Sequence, residues 1–165
     1  MKSQSALSEL QSIFVELLAR RNIKYLVIGG KAVQANGVET RQTKDLDILL
    51  GPTQENITAF GAALSKFRQP PQEIKSWEAW LSVPNRLLQY PGPHDKELDI
   101  LTSIDGIDFA ECWGRSIAAE FGKQKMQVAS RSDTIAMKHI AIATGNDPAA
   151  KARDLADIEA LQSLG

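Results

Sequence analysis

Near the start of the chain, Leu7, Leu10, Ile13, Phe14, Leu17 and Leu18 recur at intervals of three and four. Glu9, Gln11, Glu16 and Arg20 fall between them. Residues three and four apart share one side of a helix, so this spacing predicts an amphipathic helix over residues 5–21. Tyr25–Ile28 is an unbroken apolar run, read as a short strand ended by Gly29-Gly30. Lys31–Asn36 is expected to be a short helix stopped by Gly37. Acidic and apolar residues then alternate from Asp45 to Leu50, the period of a strand, before Gly51-Pro52 closes it. Thr53 is placed to cap a helix with Asn56 in its first turn. Ile57, Phe60, Ala63, Leu64 and Phe67 form its apolar stripe, and Pro70-Pro71 ends the run.

The pattern is weaker in the middle. Residues 72–85 fit a short helix or irregular structure. Arg86–Tyr90 reads as a strand, PGPHDK as a turn, and Glu97–Thr102 as the returning strand. Ile107–Phe121 is expected to be helical and Lys125–Ala129 to be a last strand. Helices follow at about 131–144 and 149–164, parted by Gly145 and Pro148. This order predicts an α/β (α+β) fold, a mixed β-sheet with helices packed on it, rather than a regular βαβ repeat. One domain is expected over 1–165, with a core at about 22–103 and C-terminal helices at about 131–164.

Bulk composition narrows the setting more than the chemistry. At 165 residues and 43% hydrophobic the chain can bury a core. Its apolar runs are shorter than the ~18–20 residues of a membrane span. Glu9 and Glu16 argue against a secretion signal, and the single Cys112 leaves no internal disulfide, so a cytoplasmic protein is expected. The net charge of −1 disfavours broad counterion-driven contact with nucleic acid; an RNA partner would have to meet a local patch. His94 and His139 lack a cysteine partner set for zinc. Trp77, Trp80 and Trp113 are expected to pack in the core or at its rim.

The chemistry concentrates in the alternating strand. Residues two apart point to the same side, so Asp45 and Asp47 project together while Leu46, Ile48 and Leu50 face away. Adjacent carboxylates repel and resist burial unless a cation joins them. Mg²⁺ takes one or two carboxylates and completes its shell with water and phosphate. Asp99, between Leu98 and Ile100, is expected to be the third acid, on the metal nearest an acceptor hydroxyl and able to take up its proton, with Glu97 in reserve. Gly29-Gly30 would let the backbone approach a triphosphate. Lys31, Arg41 and Lys44 would offer positive charge to it. Asp95, Asp105 and Asp108 are expected to be solvated.

Taken together, Val27-Ile28-Gly29-Gly30, Asp45-Leu46-Asp47 and Leu98-Asp99-Ile100 resemble the nucleotidyltransferase superfamily with the DNA polymerase β-like minimal fold. The run GGKAVQANGVETRQTKDLDI is similar to the branch of AbiEii-type toxins and small antibiotic nucleotidyltransferases, in which Arg41 and Thr43 also match. The C-terminal run SDTIAMKHIAIATGNDPAAKARDLADIEAL matches through Lys138, Arg153, Asp154 and Asp157. The resemblance implies nucleotide-site roles for Thr43 and Lys138 and a supporting role for Asp154; an Arg153–Asp157 pair one helical turn apart is the structural alternative. It also implies an NTP donor, Mg²⁺ or Mn²⁺ on Asp45, Asp47 and Asp99, and an acceptor that is a tRNA, a protein or a small antibiotic. A toxin–antitoxin role with a cognate protein partner follows from the toxin-like branch. The competing expectation is a catalytically silent, antitoxin-like binding module of the same fold.

Overall fold

The computed structural model describes residues 3–4 and 6–165. Met1, Lys2 and Ser5, within the expected domain and, for Ser5, the expected first helix, lie outside the described residues. The elements run β1 (Ser3–Gln4), α1 (Glu9–Arg20), β2 (Tyr25–Ile28), α2 (Gly29–Ala35), β3 (Leu46–Leu50) and α3 (Gln54–Phe67). They continue with α4 (Trp77–Leu81), β4 (Leu87–Tyr90), β5 (Leu98–Leu101), α5 (Phe109–Arg115), β6 (Ile117–Phe121), β7 (Gln124–Val128), α6 (Arg131–Thr144) and α7 (Pro148–Gln162).

The strands form one mixed sheet in the order β1-β6-β7-β2-β3-β5-β4. At its centre β2 and β3 are antiparallel, with Val27 opposite Ile48 and Ile28 opposite Asp47. β3 and β5 are parallel, with Leu46 beside Leu98 and Asp47 beside Asp99. Alternation divides β3 between two apolar clusters. Leu46, Ile48 and Leu50 join Phe14, Leu18, Val27, Phe60 and Leu64 under α1 and α3. Leu49 joins Leu26, Ile28, Cys112 and Met137 on the other side, toward α5 and α6. Each of the larger side chains buried there stabilises the fold by roughly 1.5–3 kcal/mol relative to exposure. Asp47 and Asp99 belong to the second side, one strand step beyond Leu49 and Leu101, where the apolar cluster gives way to a cleft.

Several local expectations change. Residues 117–121 are a strand, not the end of a helix: α5 stops at Arg115, and Ile117–Phe121 pairs antiparallel with Gln124–Val128. Gly122, with φ +61°, makes the turn, and Ala119 and Phe121 are buried against the core. Pairing with β7 overrides the helix-like spacing of a short apolar stretch. The glycines Gly29 and Gly30 begin α2 instead of preceding it, and β3 starts at Leu46, leaving Asp45 at its entrance.

On α1 the buried side is Gln11, Phe14, Val15 and Leu18, while Ile13 is 50% exposed, so the helix is turned from the expected stripe. The cause is Gln11, whose side-chain amide donates to the carbonyls of Lys44 and Glu97, each at 2.8 Å. A buried polar group with its bonds satisfied fits the interior. Here it also ties α1 to the residues that lead into both acid-bearing strands. Thr53 caps α3 as expected, its hydroxyl accepting from the Asn56 N–H. Asp108 is not merely solvated: it caps α5 by accepting from the Glu111 N–H, and Asp105 accepts from the Asn85 side chain. Trp77 is buried and donates from Nε1 to the Arg68 carbonyl, which anchors the otherwise unassigned segment 68–85 through α4. No helix among the described residues is long and apolar enough to cross a membrane.

Candidate active site

Strand register carries the first part of the site. Ile28 lies opposite Asp47 and Asp47 beside Asp99, so the end of β2, the start of β3 and the start of β5 meet in a row. Gly29 follows at once with φ +68°, and a Cβ there would overlap Asp47 Oδ2. At Gly30 a Cβ would press on Thr43 at 2.9 Å. The two glycines therefore let the backbone lie directly against the acidic strand and the segment before it. Gly29→Ala is expected to destabilise the protein by about 1–3 kcal/mol through left-handed strain and displacement of Asp47. Urea denaturation measures it; an unchanged midpoint would refute the close-approach account.

The cleft beside this row holds about 520 Å³ and is lined by Gly30, Arg41, Gln42, Thr43, Asp45, Asp47, Lys96, Asp99, Lys138, Arg153 and Asp154. That volume suits a small-molecule site. Its floor is unusual in one respect: Asp47 Oδ1 and Asp99 Oδ1 are both buried without a hydrogen-bond partner. Burial raises the Asp47 carboxyl from its ordinary 3.8 to about 7, and the neighbouring Asp99 charge pushes it the same way. The cation nearest these acids is Lys96, with Nζ 2.8 Å from Asp99 Oδ2 and 3.7 Å from Asp45 Oδ2.

The opposite wall comes from the C-terminal helices. Lys138 on α6 pairs with Asp154 at 2.8 Å and Asp157 at 2.9 Å on α7. Asp157 also accepts from Arg41 Nε at 2.8 Å. Burial alone would raise the Asp157 carboxyl, but the hydrogen bonds from Arg41 and Lys138 and their charges prevail and hold it below the ordinary aspartate value. One carboxylate thus fixes a cation from the β3 approach and another from α6 at the same cleft. The alternative, an Arg153–Asp157 pair, does not form this network; Asp157 is committed to Arg41 and Lys138, and Arg153 lines the cleft.

Of the residues singled out in the sequence, the fold brings together Gly30, Arg41, Thr43, Asp45, Asp47, Asp99, Lys138 and Asp154 as cleft lining, with Gly29 directly behind Asp47. Lys31 and Lys44 stand apart. Lys31 is only 2% exposed, its Nζ reaching the Thr43 carbonyl at 3.4 Å, and burial lowers its pKa against the opposing pull of Asp47 and Asp45. It is a charge behind the acids rather than in the cleft. Lys44 is exposed and lies outside the lining. Glu97, expected in reserve, lies outside the cleft lining; it accepts from Ser8 Oγ and helps seat α1. Lys96 and Gln42 were missed. Lys96 sits in a turn, three residues before Asp99, and that spacing was the only signal for it.

The fit to a divalent cation can be judged from these oxygens. The donors are hard carboxylate atoms, and two of them are buried with nothing to bond, which is the condition a cation relieves. Among the described residues no three Asp, Glu, His or Cys side chains form a ready-made metal cage. Mg²⁺ rarely uses such cages, relying on phosphate and water for its remaining positions. The residues fit an ion that arrives with a phosphate ligand.

Comparison with known proteins agrees with this architecture. The family model described as nucleotidyl transferase AbiEii toxin, type IV TA system, matches residues 24–165. A search of curated protein sequences finds no significant match. Among experimental structures, an antigenic nucleotidyltransferase-like protein from Paracoccidioides brasiliensis superposes with a TM-score of 0.55 at 18% identity, over 95% of this chain and 78% of that one. The solution structure of the antibiotic-resistance factor ANT(2'')-Ia gives 0.60 at 19%, over 94% and 83%. ANT(2'')-Ia in complex with adenylyl-2''-tobramycin gives 0.58 at 19%, over 94% and 88%. At these identities the structural likeness establishes a shared fold.

Proposed function

Because the chain belongs to the AbiEii nucleotidyl transferase toxin family and is a nucleotidyltransferase, we propose that it transfers a nucleoside monophosphate from an NTP to an acceptor hydroxyl or phosphate. The acceptor oxygen bonds to the α-phosphorus, the bond from that phosphorus to the β-bridging oxygen breaks, and pyrophosphate leaves. Asp45 and Asp47 would hold Mg²⁺ or Mn²⁺, with Asp99 completing the ligand set. Bound there, the cation would neutralise charge on the transferring and leaving phosphate oxygens.

The protein's own groups do the rest. Asp99 stands beside the acceptor and takes its proton. The backbone at Gly29-Gly30 and the side chains of Arg41 and Lys138 bind the triphosphate, and Asp157 holds those two cations in place. Thr43 and Asp154 shape the nucleotide side of the cleft. Catalysis of this kind rests on positioning and fixed charge. The observation that carries the reading is the pair of neighbouring aspartates, Asp47 and Asp99, which line a cleft shared with Arg41, Lys96 and Lys138 and each of which keeps one buried oxygen without a hydrogen-bond partner.

The acceptor is a tRNA end, a protein hydroxyl or a small antibiotic, and the chain acts as the toxin of a toxin–antitoxin pair with a cognate protein partner. Support for the first part comes from the family and from a structural relative seen with adenylyl-2''-tobramycin. The test is incubation with each α-labelled NTP, Mg²⁺ or Mn²⁺, and separate pools of tRNA, cell protein and aminoglycosides. Label should appear in one pool and vanish with Asp45→Ala plus Asp47→Ala. Transfer that survives the double substitution would sink the assignment.

A further inference from the structure

Lys96 has no part in the reaction just described, yet its ammonium is the cation closest to the acids. It projects from the turn between β4 and β5 and reaches Asp99 Oδ2 at 2.8 Å and Asp45 Oδ2 at 3.7 Å. The turn is tied down on one side by the Glu97 N–H, which donates to the Tyr90 carbonyl at 2.8 Å. The lysine stem itself is one-third exposed, with open cleft beside it. Asp45 stands at the entrance to β3 and Asp99 lies in β5, and the ammonium bridges the two.

The ammonium does the job incompletely. It leaves Asp47 Oδ1 and Asp99 Oδ1 buried and unbonded. It bridges Asp45 and Asp99 only, and the second positive charge nearby, Lys31, stays buried behind Asp45 and Asp47. Lysine is a compact charge on a flexible stem, able to let go of one anion and take another within a few ångströms. A triphosphate entering the cleft brings such an anion.

We propose that Lys96 is a tethered counter-ion that holds the Asp45–Asp99 position in the metal-free protein and surrenders it when the donor arrives with its cation, moving onto the triphosphate. This rests on the metal-dependent reading above. It makes loading concerted: a divalent ion alone must displace the ammonium without giving it a new partner, whereas a cation–NTP complex supplies one. Free divalent ion therefore binds weakly and the cation–nucleotide complex binds well. Lys96 is a positioning residue in this scheme, acting on charge and order of entry.

The test is Mn²⁺ binding to the full chain without nucleotide, read by electron paramagnetic resonance and calorimetry, for wild type, Lys96→Met and Lys96→Gln. Removing a unit charge at this distance is expected to tighten Mn²⁺ binding by about tenfold or more. It should also lower the metal-free Tm and enlarge the rise that Mn²⁺ produces. With a non-transferable α,β-methylene NTP the order reverses, and the variants bind the Mn²⁺–analogue complex more weakly than wild type. Unchanged or weaker Mn²⁺ affinity in both variants, with wild type still binding, overturns this proposal alone. Absence of Mn²⁺ binding in all three proteins, with and without the analogue, overturns the metal reading and this proposal with it.

Discussion

Asp99→Asn is expected to lower kcat for nucleotidyl transfer by about 10²–10⁴-fold, the range for losing a positioned proton acceptor, with little change in KM for the NTP. The substitution keeps the shape of the side chain and an oxygen for Lys96 to donate to, so the β3–β5 ladder and the cleft wall are retained. What it removes is basicity and one negative charge at the acceptor side. Donor binding rests mainly on the glycine backbone, Arg41 and Lys138, on other elements, and Asp45 and Asp47 remain to hold the cation, so the change in KM is expected to be far smaller than that in kcat. Steady-state kinetics with the acceptor found by labelling checks this. A kcat within about threefold of wild type would remove Asp99 from the chemistry; a large rise in KM with kcat intact would make it a binding group instead.

The second large effect is on stability. In the metal-free protein, Asp47→Asn is expected to stabilise the fold at alkaline pH by up to ~4 kcal/mol. Burial, aided by the Asp99 charge, raises the folded-state pKa of Asp47 from 3.8 to about 7. Between those values the unfolded chain has released the proton that the folded chain retains, so stability falls as pH rises from about 4 to about 7 and then levels off. The asparagine variant lacks that loss. Its advantage over wild type should be absent near pH 3, partial at pH 5 and complete at pH 8. Urea denaturation with a chelator present measures it across that range. An advantage that is constant with pH, or a destabilisation at pH 8, contradicts the account. Mn²⁺ with a nucleotide analogue should stabilise wild type and do far less for the variant, so one residue makes the empty protein less stable and the loaded one more so.

Much of this was legible before any fold was known, and the reason differs by residue. Asp45, Asp47 and Asp99 could be found because acids placed between apolar strand residues contradict the simplest burial pattern. Gly29 and Gly30 could be found because a glycine pair ends an apolar run. Lys96 was not legible: it lies in a Pro/Gly-rich turn where a lysine is ordinary, and only the β4–β5 hairpin brings it back over Asp99. Gln11 was misplaced for a similar reason. On a helix wheel it belongs with the polar residues, yet two strand-entry carbonyls turn that side inward. The strand at 117–121 escaped because a five-residue apolar stretch carries no decisive period, and its partner across Gly122 supplies the stabilisation.

By itself, then, the sequence determined the kind of chemistry. Alternation puts Asp47 on the side of β3 away from Leu46 and Ile48, with Asp45 just before the strand, and the glycine pair leaves room for close backbone approach; both are local consequences of backbone geometry. The tertiary structure decided which charges share the cleft. Strand register brought Asp99 beside Asp47, and the packing of α6 and α7 brought Asp157, with Lys138 paired to it, to Arg41, 116 residues away in the chain. Electrostatic interaction falls with distance and with solvent screening, and neither quantity can be read from order along a chain.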